Sequence, residues 1–350
     1  MKTALSIDVG GTKIYNTIIN ENGEIIGEIE KHHTPKTFVE IKTLFEEIIK
    51  KHENEVDVIA FATCGAVNNT NDGILGSTGN IAKEYPTMDF KSLSKKPVFV
   101  ENDANCAAWA EHIIGSSKGM AYSVMLTLGT GVGGGIILDN KLYKGKNGAA
   151  GEMHFKMRTD KHRHCTCGSW DCFEAYASGT GLKKTAEEIS GNPDVTTYDV
   201  IAAMQQSSKT TNNLEGYKVE NSEGKQVTCH CEEHLKNATW QSKIDKKLDC
   251  FANARNDAYE QLLSTELAQT IFSAWQNDIL QGIIGLANIF DPDCVVLSGS
   301  MAEFVDIEYL EREANKEIVT TPFKVVKATA GNYSGMIGAG LLAMENLFIQ

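Results

Sequence analysis

The chain has 350 residues, 42% hydrophobic and 23% charged, with 33 basic against 46 acidic side chains and a formal net charge of −13. That length suits two cores rather than one, no apolar run approaches the roughly 20 residues of a membrane span, and the acid excess disfavours general binding to nucleic acid or anionic membrane. The start, MKTALSIDVGGTK, puts Asp8 inside its apolar stretch and does not read as a signal peptide. Nine cysteines without an export signal point to reduced thiols in a cytoplasm, where clustered cysteines are more often metal ligands than disulfides.

In chain order, ALSID reads as a strand, VGGTK as a tight turn and IYNTIIN as a second strand. Glu21-Asn22-Gly23 is a hairpin turn, since Asn and Gly tolerate positive φ, and EIIGEIE continues as a third strand. Phe38, Ile41, Leu44, Phe45, Ile48 and Ile49 recur at helical spacing. VDVIAFATCG is a strand of the buried kind, KPVFVEND a shorter one, and ANCAAWAEHIIG a helix. Strands alternating with helices predict an α/β fold.

Residues 123–142, SVMLTLGTGVGGGIILDNKL, repeat the plan of residues 4–26: strand, glycine-rich turn, strand, Asn-containing turn, strand. The repeat predicts two related domains across a cleft, each offering one glycine turn. Helices follow in AYASGTGLKKTAEEIS and TTYDVIAAMQQ. Residues 207–262 are polar and read as a long insertion, with a hairpin at NSEGKQ and an incidental Cys229-His230-Cys231…His234 group. TELAQTIFSAWQNDILQGIIGLANIF is a helix stopped by Asp291-Pro292. CVVLSGS and VVKAT are strands, and SGMIGAGLLAMENL is a closing helix.

The glycines of Asp8-Val9-Gly10-Gly11-Thr12-Lys13 let backbone N–H groups approach a phosphate, and Thr12 adds a hydroxyl donor. Gly129-Thr130-Gly131-Val132-Gly133-Gly134-Gly135 offers the same again. Neither is a Walker A loop. Asp8 is placed either to hold hydrated Mg2+ or to bond the turn's own amides. Asn102-Asp103 stands at a strand-to-helix junction and reads either as an N-cap or as an orienting amide beside a catalytic carboxylate.

Taken in order, ID-x-GGTK, END, LGTGVGGG, G-x-x-GE, C-x-C-G-x3-C-x-E and DPDCVVLSGS make the chain similar to the ROK family of bacterial sugar kinases and sugar-responsive repressors, over nearly its whole length except about 207–262. The resemblance implies two actin/hexokinase-like (ribonuclease H-like) α/β domains with a cleft between them. We expect a small domain over 1–118, on which the helix of 334–350 packs back, and a larger one over 119–333. The implied activity is transfer of the γ-phosphate of ATP to a hexose hydroxyl, plausibly the 6-OH, as in a glucokinase. N-acetylmannosamine and N-acetylglucosamine kinases share the motifs. By the same resemblance Asp103 matches the catalytic base and Asn102 its sugar-binding neighbour. Glu152 and Glu174 match sugar-binding carboxylates, and Gly65 and Asn80 fall in sugar-facing loops, where Cys64 and Gly79 replace the usual prolines. Gly10, Gly11, Thr12 and Lys13 match the first phosphate turn, Gly129, Thr130, Gly131 and Gly133 the second, and Gly299 the turn near the adenosine. A homo-oligomer, a dimer, is expected. A sugar-sensing regulator is the alternative of another class, but such relatives carry a helix-turn-helix domain before the DVGGTK strand, which here begins by residue 4. A third reading, a sugar-binding protein that has lost catalysis, is opposed by Asp103 and both glycine turns.

Residues 151–174, GEMHFKMRTDKHRHCTCGSWDCFE, hold three cysteines at C-x-C-x4-C spacing and three histidines. Thiolates plus one imidazole suit structural zinc, and Cys165, Cys167 and Cys172 stand at a spacing the family also uses. In the family pattern G-E-x-G-H the zinc-binding, sugar-proximal histidine lies ten positions before the first cysteine, where this chain has Phe155. His154 is one position early, and His162 and His164 are the other candidates. Asp171 replaces a usual glycine, which predicts a strained turn there.

Overall fold

Two five-stranded sheets carry the fold, and they share one plan. In the first, β1 (Thr3–Val9) pairs antiparallel with β2 (Lys13–Asn20), and β2 antiparallel with β3 (Glu30–His33). On its other side β1 pairs parallel with β4 (Val58–Thr63), and β4 parallel with β5 (Val98–Asn102). In the second, β6 (Ser123–Leu128), β7 (Val132–Leu138) and β8 (Lys141–Leu142) form the antiparallel arm, and β9 (Cys294–Ser298) and β10 (Lys324–Lys327) the parallel one. The orders β3-β2-β1-β4-β5 and β8-β7-β6-β9-β10 are equivalent, so the repeat legible in two short segments extends to the whole topology. The computed structural model describes residues 1–76, 81–157, 159–212 and 263–347. Asn80 and the Cys229, His230, Cys231 and His234 group lie outside the described residues, as does most of the 207–262 insertion with its expected hairpin.

The third strand forms later than residues 24–30. Ile25 makes an isolated bridge to Ile19, while the N–H groups of Ile26 and Gly27 both converge on the Ile18 carbonyl. Two donors on one carbonyl bulge the strand, and regular pairing resumes at Glu30.

The helices are α1 (Phe38–His52), α2 (Asp103–Ile113), the single turn α3 (Glu174–Ala177), α4 (Gly179–Ser190), α5 (Thr197–Asn212), α6 (Thr265–Phe290), α7 (Ile307–Glu317) and α8 (Ser334–Asn346). Thr37 starts α1 with a capping box: its hydroxyl accepts from Glu40 N–H, and the Glu40 carboxylate accepts from Thr37 N–H. The buried stripe Ile41, Phe45, Ile48 and Ile49 packs with Phe61, Tyr85 and Phe90 on one face of the first sheet, with Phe45–Phe61 and Phe61–Phe90 edge to face at 5.0 Å. The helix expected over 175–190 is broken at Ser178, which is extended because Gly179 N–H is diverted to the Gly129 carbonyl at 2.8 Å.

On the other face of the first sheet, α8 packs against β1, β2, β4 and α2. Small residues set the spacing: Ala4, Ala60 and Ala62 line the sheet side, and Cys106 and Ala110 line α2. The helix α2 also lies against β7, with Ala104 and Ala108 over glycines of that strand. Both sheets belong to one compact unit, Met1–Gly179 with Gln276–Gln350; Thr180–Trp275 forms the other. In the second unit Leu182, Ala186, Val200, Ile201, Ile271 and Trp275 are buried. The expected 118/119 boundary falls between α2 and β6, inside the first unit. Among the described residues no helix is long and apolar enough to cross a membrane.

A Cβ on Gly338 would stand 1.7 Å from the Cys106 carbonyl oxygen of α2. Gly338→Ala should gain about 1 kcal/mol of helix propensity but lose about 1–3 kcal/mol or more to overpacking. Net destabilisation is expected in urea unfolding; a stabilised variant would contradict this packing.

Candidate functional site

Because β1, β4 and β5 are parallel, their carboxyl ends lie at one edge of the first sheet. The register pairs Asp8 with Ala62 and Thr63 with Asn102. Three chemical segments therefore leave the same edge: the Gly10–Lys13 turn, the Cys64-Gly65 loop and the Asn102-Asp103 junction. The second sheet repeats the device, with Gly129–Gly131 after β6 and Gly299 after β9.

A cavity of about 170 Å³ opens at this edge, lined by Asn102, Asp103, Asn105, Gly133, Gly151 and Glu152 among others. The N-cap and the candidate catalyst turn out to be neighbours. Asn102 is the cap, its Oδ1 accepting from the N–H groups of Ala104 and Asn105 at 3.0 and 3.1 Å. Its Nδ2 donates to the Gly65 carbonyl at 3.2 Å, tying two of the loops together. Asp103 is the first helical residue and accepts from Ala104 N–H at 2.9 Å. Desolvation by the crowded cleft walls pushes the Asp103 carboxyl up to about 6; the Ala104 N–H opposes the rise and the Glu152 charge adds to it. The residue still opens onto the cavity, so crowding of the cleft rather than enclosure is the cause. Burial first, and the Asp103 charge second, push Asp8 up to about 7. Among the described residues no salt bridge reaches Asp8, which leaves a partly buried carboxyl suited to a cation. Burial and the Asp103 charge raise the Cys64 thiol to about 12, so it is inert beside them.

The first turn is closed by Gly10 N–H to the Lys13 carbonyl at 3.0 Å, with Gly11, Thr12 and Lys13 exposed. The second is closed by Gly129 N–H to the Gly131 carbonyl at 3.0 Å, with Thr130 exposed. Gly133 sits in β7 rather than in the turn: it lines the cavity, and a Cβ there would stand 2.6 Å from Thr127 Oγ1. Gly299 has φ +87°, and a Cβ there would meet the Leu128 carbonyl oxygen at 2.4 Å. Glu174, expected at the sugar, reaches the first residue of β7, just past the second turn. Its Oε2 accepts from Val132 N–H at 3.1 Å and its Oε1 from the Thr166 hydroxyl and the Cys165 thiol. Burial alone would raise this carboxyl, but the three donors hold it below the usual range.

The cysteine loop folds around one point. The candidate donor atoms of His154, Cys165, Cys167 and Cys172 all lie within 4.8 Å of one another. His154 Nδ1 is buried without a hydrogen-bond partner, as a nitrogen awaiting a metal would be. His162 is turned outward to Asp171, Nδ1 to Oδ2 3.0 Å, and His164 lies edge-on to Trp170. Phe155 stacks on Phe173 at 4.8 Å and leaves the donor set to its neighbour. Asp171 has φ +57°, as the missing glycine predicts. Its carboxylate compensates by accepting from Arg163 N–H at 2.8 Å and the Tyr176 hydroxyl at 2.6 Å.

Three residues escaped the sequence reasoning. Asn105 lines the cavity, and its spacing of three from the cap residue Asn102 was a usable signal. Glu101 and Lys144 pair at 2.7 Å behind it, a contact between segments 43 positions apart that no local pattern announces.

Comparison with known proteins gives a consistent result. The ROK family matches residues 4–223 and 237–346. A Streptomyces coelicolor glucokinase is 28% identical over 356 aligned residues, covering 99% of this chain and 98% of that protein. A Yersinia pseudotuberculosis N-acetylmannosamine kinase is 33% identical over 210 residues, 59% of this chain and 71% of that one. Among solved structures, a Streptomyces griseus ROK family glucokinase in complex with glucose and AMPPNP aligns with TM-score 0.67 at 24% identity, covering 98% of this chain and 99% of that one. A Thermus thermophilus ROK hexokinase aligns at 0.70 and 22%, covering 99% and 100%. The fold is thus the actin/hexokinase type.

The raised Asp8 carboxyl has a stability consequence. Between the unfolded value near 3.8 and the folded value of about 7, the native state binds the extra proton, so stability falls as pH rises through that window. Asp8→Asn should therefore raise the melting temperature of the ligand-free protein at pH 8 and leave it near wild type at pH 4. An equal effect at both pH values would contradict the assignment.

Proposed function

This chain belongs to the ROK family, and we propose that it is an ATP-dependent hexose kinase that phosphorylates a sugar hydroxyl, the 6-OH of glucose, with N-acetylmannosamine or N-acetylglucosamine as the alternative acceptors. Phosphoryl transfer to an alcohol acceptor follows from its kinase relatives. One observation carries the reading: Asp103 stands on the wall of a cavity faced by Glu152, at the sheet edge that also carries the first glycine turn, with its carboxyl raised toward neutrality.

In the proposed reaction Asp103 accepts the proton of the sugar hydroxyl. The oxygen attacks the γ-phosphorus of ATP, an O–P bond forms, and the bond to the β-phosphate oxygen breaks to release ADP. The N–H groups of Gly10–Lys13 and Gly129–Gly131, with the Thr12 and Thr130 hydroxyls, are placed to bind phosphate oxygens, and Gly299 shapes the nucleotide side. Mg2+, when bound, would neutralise phosphate charge, and Asp8 is the residue to hold it. Catalysis of this type is mainly positioning and electrostatics. Asn102, Gly65, Glu152, His154 and Glu174 are the proposed sugar contacts, with Asn80 of the sequence expectation outside the described residues. Glu174 also ties the cysteine loop to the head of β7. Closure of the two sheet-bearing domains, 1–118 with the last helix and 119–333, would exclude water from the phosphoryl group.

For the cysteine loop we propose a structural zinc site, His154, Cys165, Cys167 and Cys172, whose three sulfurs and one nitrogen match zinc's preference. It braces the segment between Glu152 and Glu174.

A coupled ADP-release assay over hexoses and N-acetylhexosamines is the direct test; sugar binding without turnover of any sugar would sink the kinase reading. Asp103→Asn should lower kcat by about 10²–10⁴-fold while sugar binding persists. Because Asp103 must be ionised to act, kcat/KM should fall as pH drops through about 6. Purified protein should carry zinc and His154→Ala should lose it; full retention would move that ligand role to His162 or His164.

A further inference from the structure

Behind the cavity lies a buried ion pair that the phosphoryl-transfer reading leaves unused. Glu101 is 0% exposed and immediately precedes Asn102 and Asp103. Its carboxylate is fully engaged. Oε1 accepts from Asn102 N–H at 2.9 Å and Asn105 Nδ2 at 3.1 Å; Oε2 accepts from Asn71 Nδ2 at 2.8 Å and Lys144 Nζ at 2.7 Å. Lys144 follows β8, and its Nζ also donates to the Asn68 carbonyl at 3.0 Å. Beside it, Asn69 Nδ2 donates to the carbonyls of Gly145 and Lys146 at 3.2 and 2.6 Å. At Gly148 the two backbones touch, since a Cβ there would stand 1.9 Å from the Val67 carbonyl oxygen.

The Glu101–Lys144 bond joins two stretches of chain that become the two walls of the cavity, and the 67–71 segment is bonded to both. One runs from Glu101 into Asn102, Asp103 and Asn105; the other runs from Lys144 into Gly148, Gly151 and Glu152. A buried ion pair is a poor way to gain stability, because desolvation offsets its attraction and apolar substitutes often serve as well. What it supplies is direction. A carboxylate only accepts, so Glu101 fixes the Asn105 amide with Nδ2 toward itself. Asn105 Oδ1 is left buried in the cavity wall without a protein partner.

We propose that the Lys144–Glu101 pair is a positioning element: it sets the separation of the walls that carry Asp103 and Glu152, and it holds Asn105 Oδ1 ready to accept from a substrate hydroxyl. The proposal rests on reading this cavity as the sugar site. Neither residue touches the reacting atoms; both act through the groups they place.

The test is the double variant Glu101→Gln/Lys144→Met, which removes both charges together and so leaves no lone buried ion. The melting temperature should stay near wild type while kcat falls about tenfold or more and the sugar KM rises, since displacements near 1 Å cost up to about 10²-fold. A kcat and KM within twofold of wild type at unchanged melting temperature would overturn the proposal. If the double variant fails to fold, Lys144→Arg keeps both buried charges but changes the length of the tie; kcat is expected to fall at least threefold with stability unchanged, and an unchanged kcat overturns the idea. Should the wild-type chain phosphorylate no sugar, the kinase reading fails by itself. The positioning claim is then decided by crystal structures of wild type and Lys144→Arg. An Asp103–Glu152 separation altered by about 1 Å supports it, and superposable walls refute it.

Discussion

The parallel register of β1, β4 and β5 is the constraint on which the rest depends. It brings three chain reversals, far apart in sequence, to a single sheet edge, and each reversal carries candidate site residues. Asp8 and the first glycine turn follow β1, Gly65 follows β4, and Asn102-Asp103 follows β5. A one-residue slip of β5 would turn Asp103 to the other face, because side chains alternate along a strand. The second sheet repeats the order and presents Gly129–Gly131 and Gly299 in the equivalent places.

The helix α2 translates that register into a site. It begins at the candidate base and runs between α8 and β7, so its small residues are under steric demand from both sides. Cys106 meets Gly338, Ala108 meets Gly135, and Ala104 approaches Gly133. Any of these contacts widened by a methyl group would push on the element that carries Asp103. Glycines that look like phosphate-turn residues in LGTGVGGG thus divide their labour. Gly129 and Gly131 form the turn, while Gly133, Gly134 and Gly135 let α2 and the Met153 segment approach the strand.

The cysteine loop shows another division. Its candidate metal ligands are written in the composition and spacing, but the identity of the histidine is not. His154, His162 and His164 all lie within reach along the chain. Phe155, at the family's histidine position, goes into the stack with Phe173, which in turn is seated on Gly282 of α6. That burial leaves His154 to face the thiols and turns His162 toward Asp171.

The sequence by itself determined most of the elements, the duplicated strand–turn–strand plan and the family, and it named candidate site residues, because each of these is local or periodic. Hydrophobic alternation, capping residues such as Thr37 and Glu40, and glycine turns act over a few positions and can be read directly. It misplaced β3 because the bulge at Ile26 and Gly27 depends on a carbonyl of another strand. It extended one helix through Ser178 because the bond that breaks it comes from Gly129. Tertiary structure alone decided that Glu174 bonds the head of β7, that His154 joins the cysteines, and that Lys144 crosses to Glu101 behind the cavity. Those choices rest on distances between groups far apart in the chain, set by packing that no short window of residues encodes.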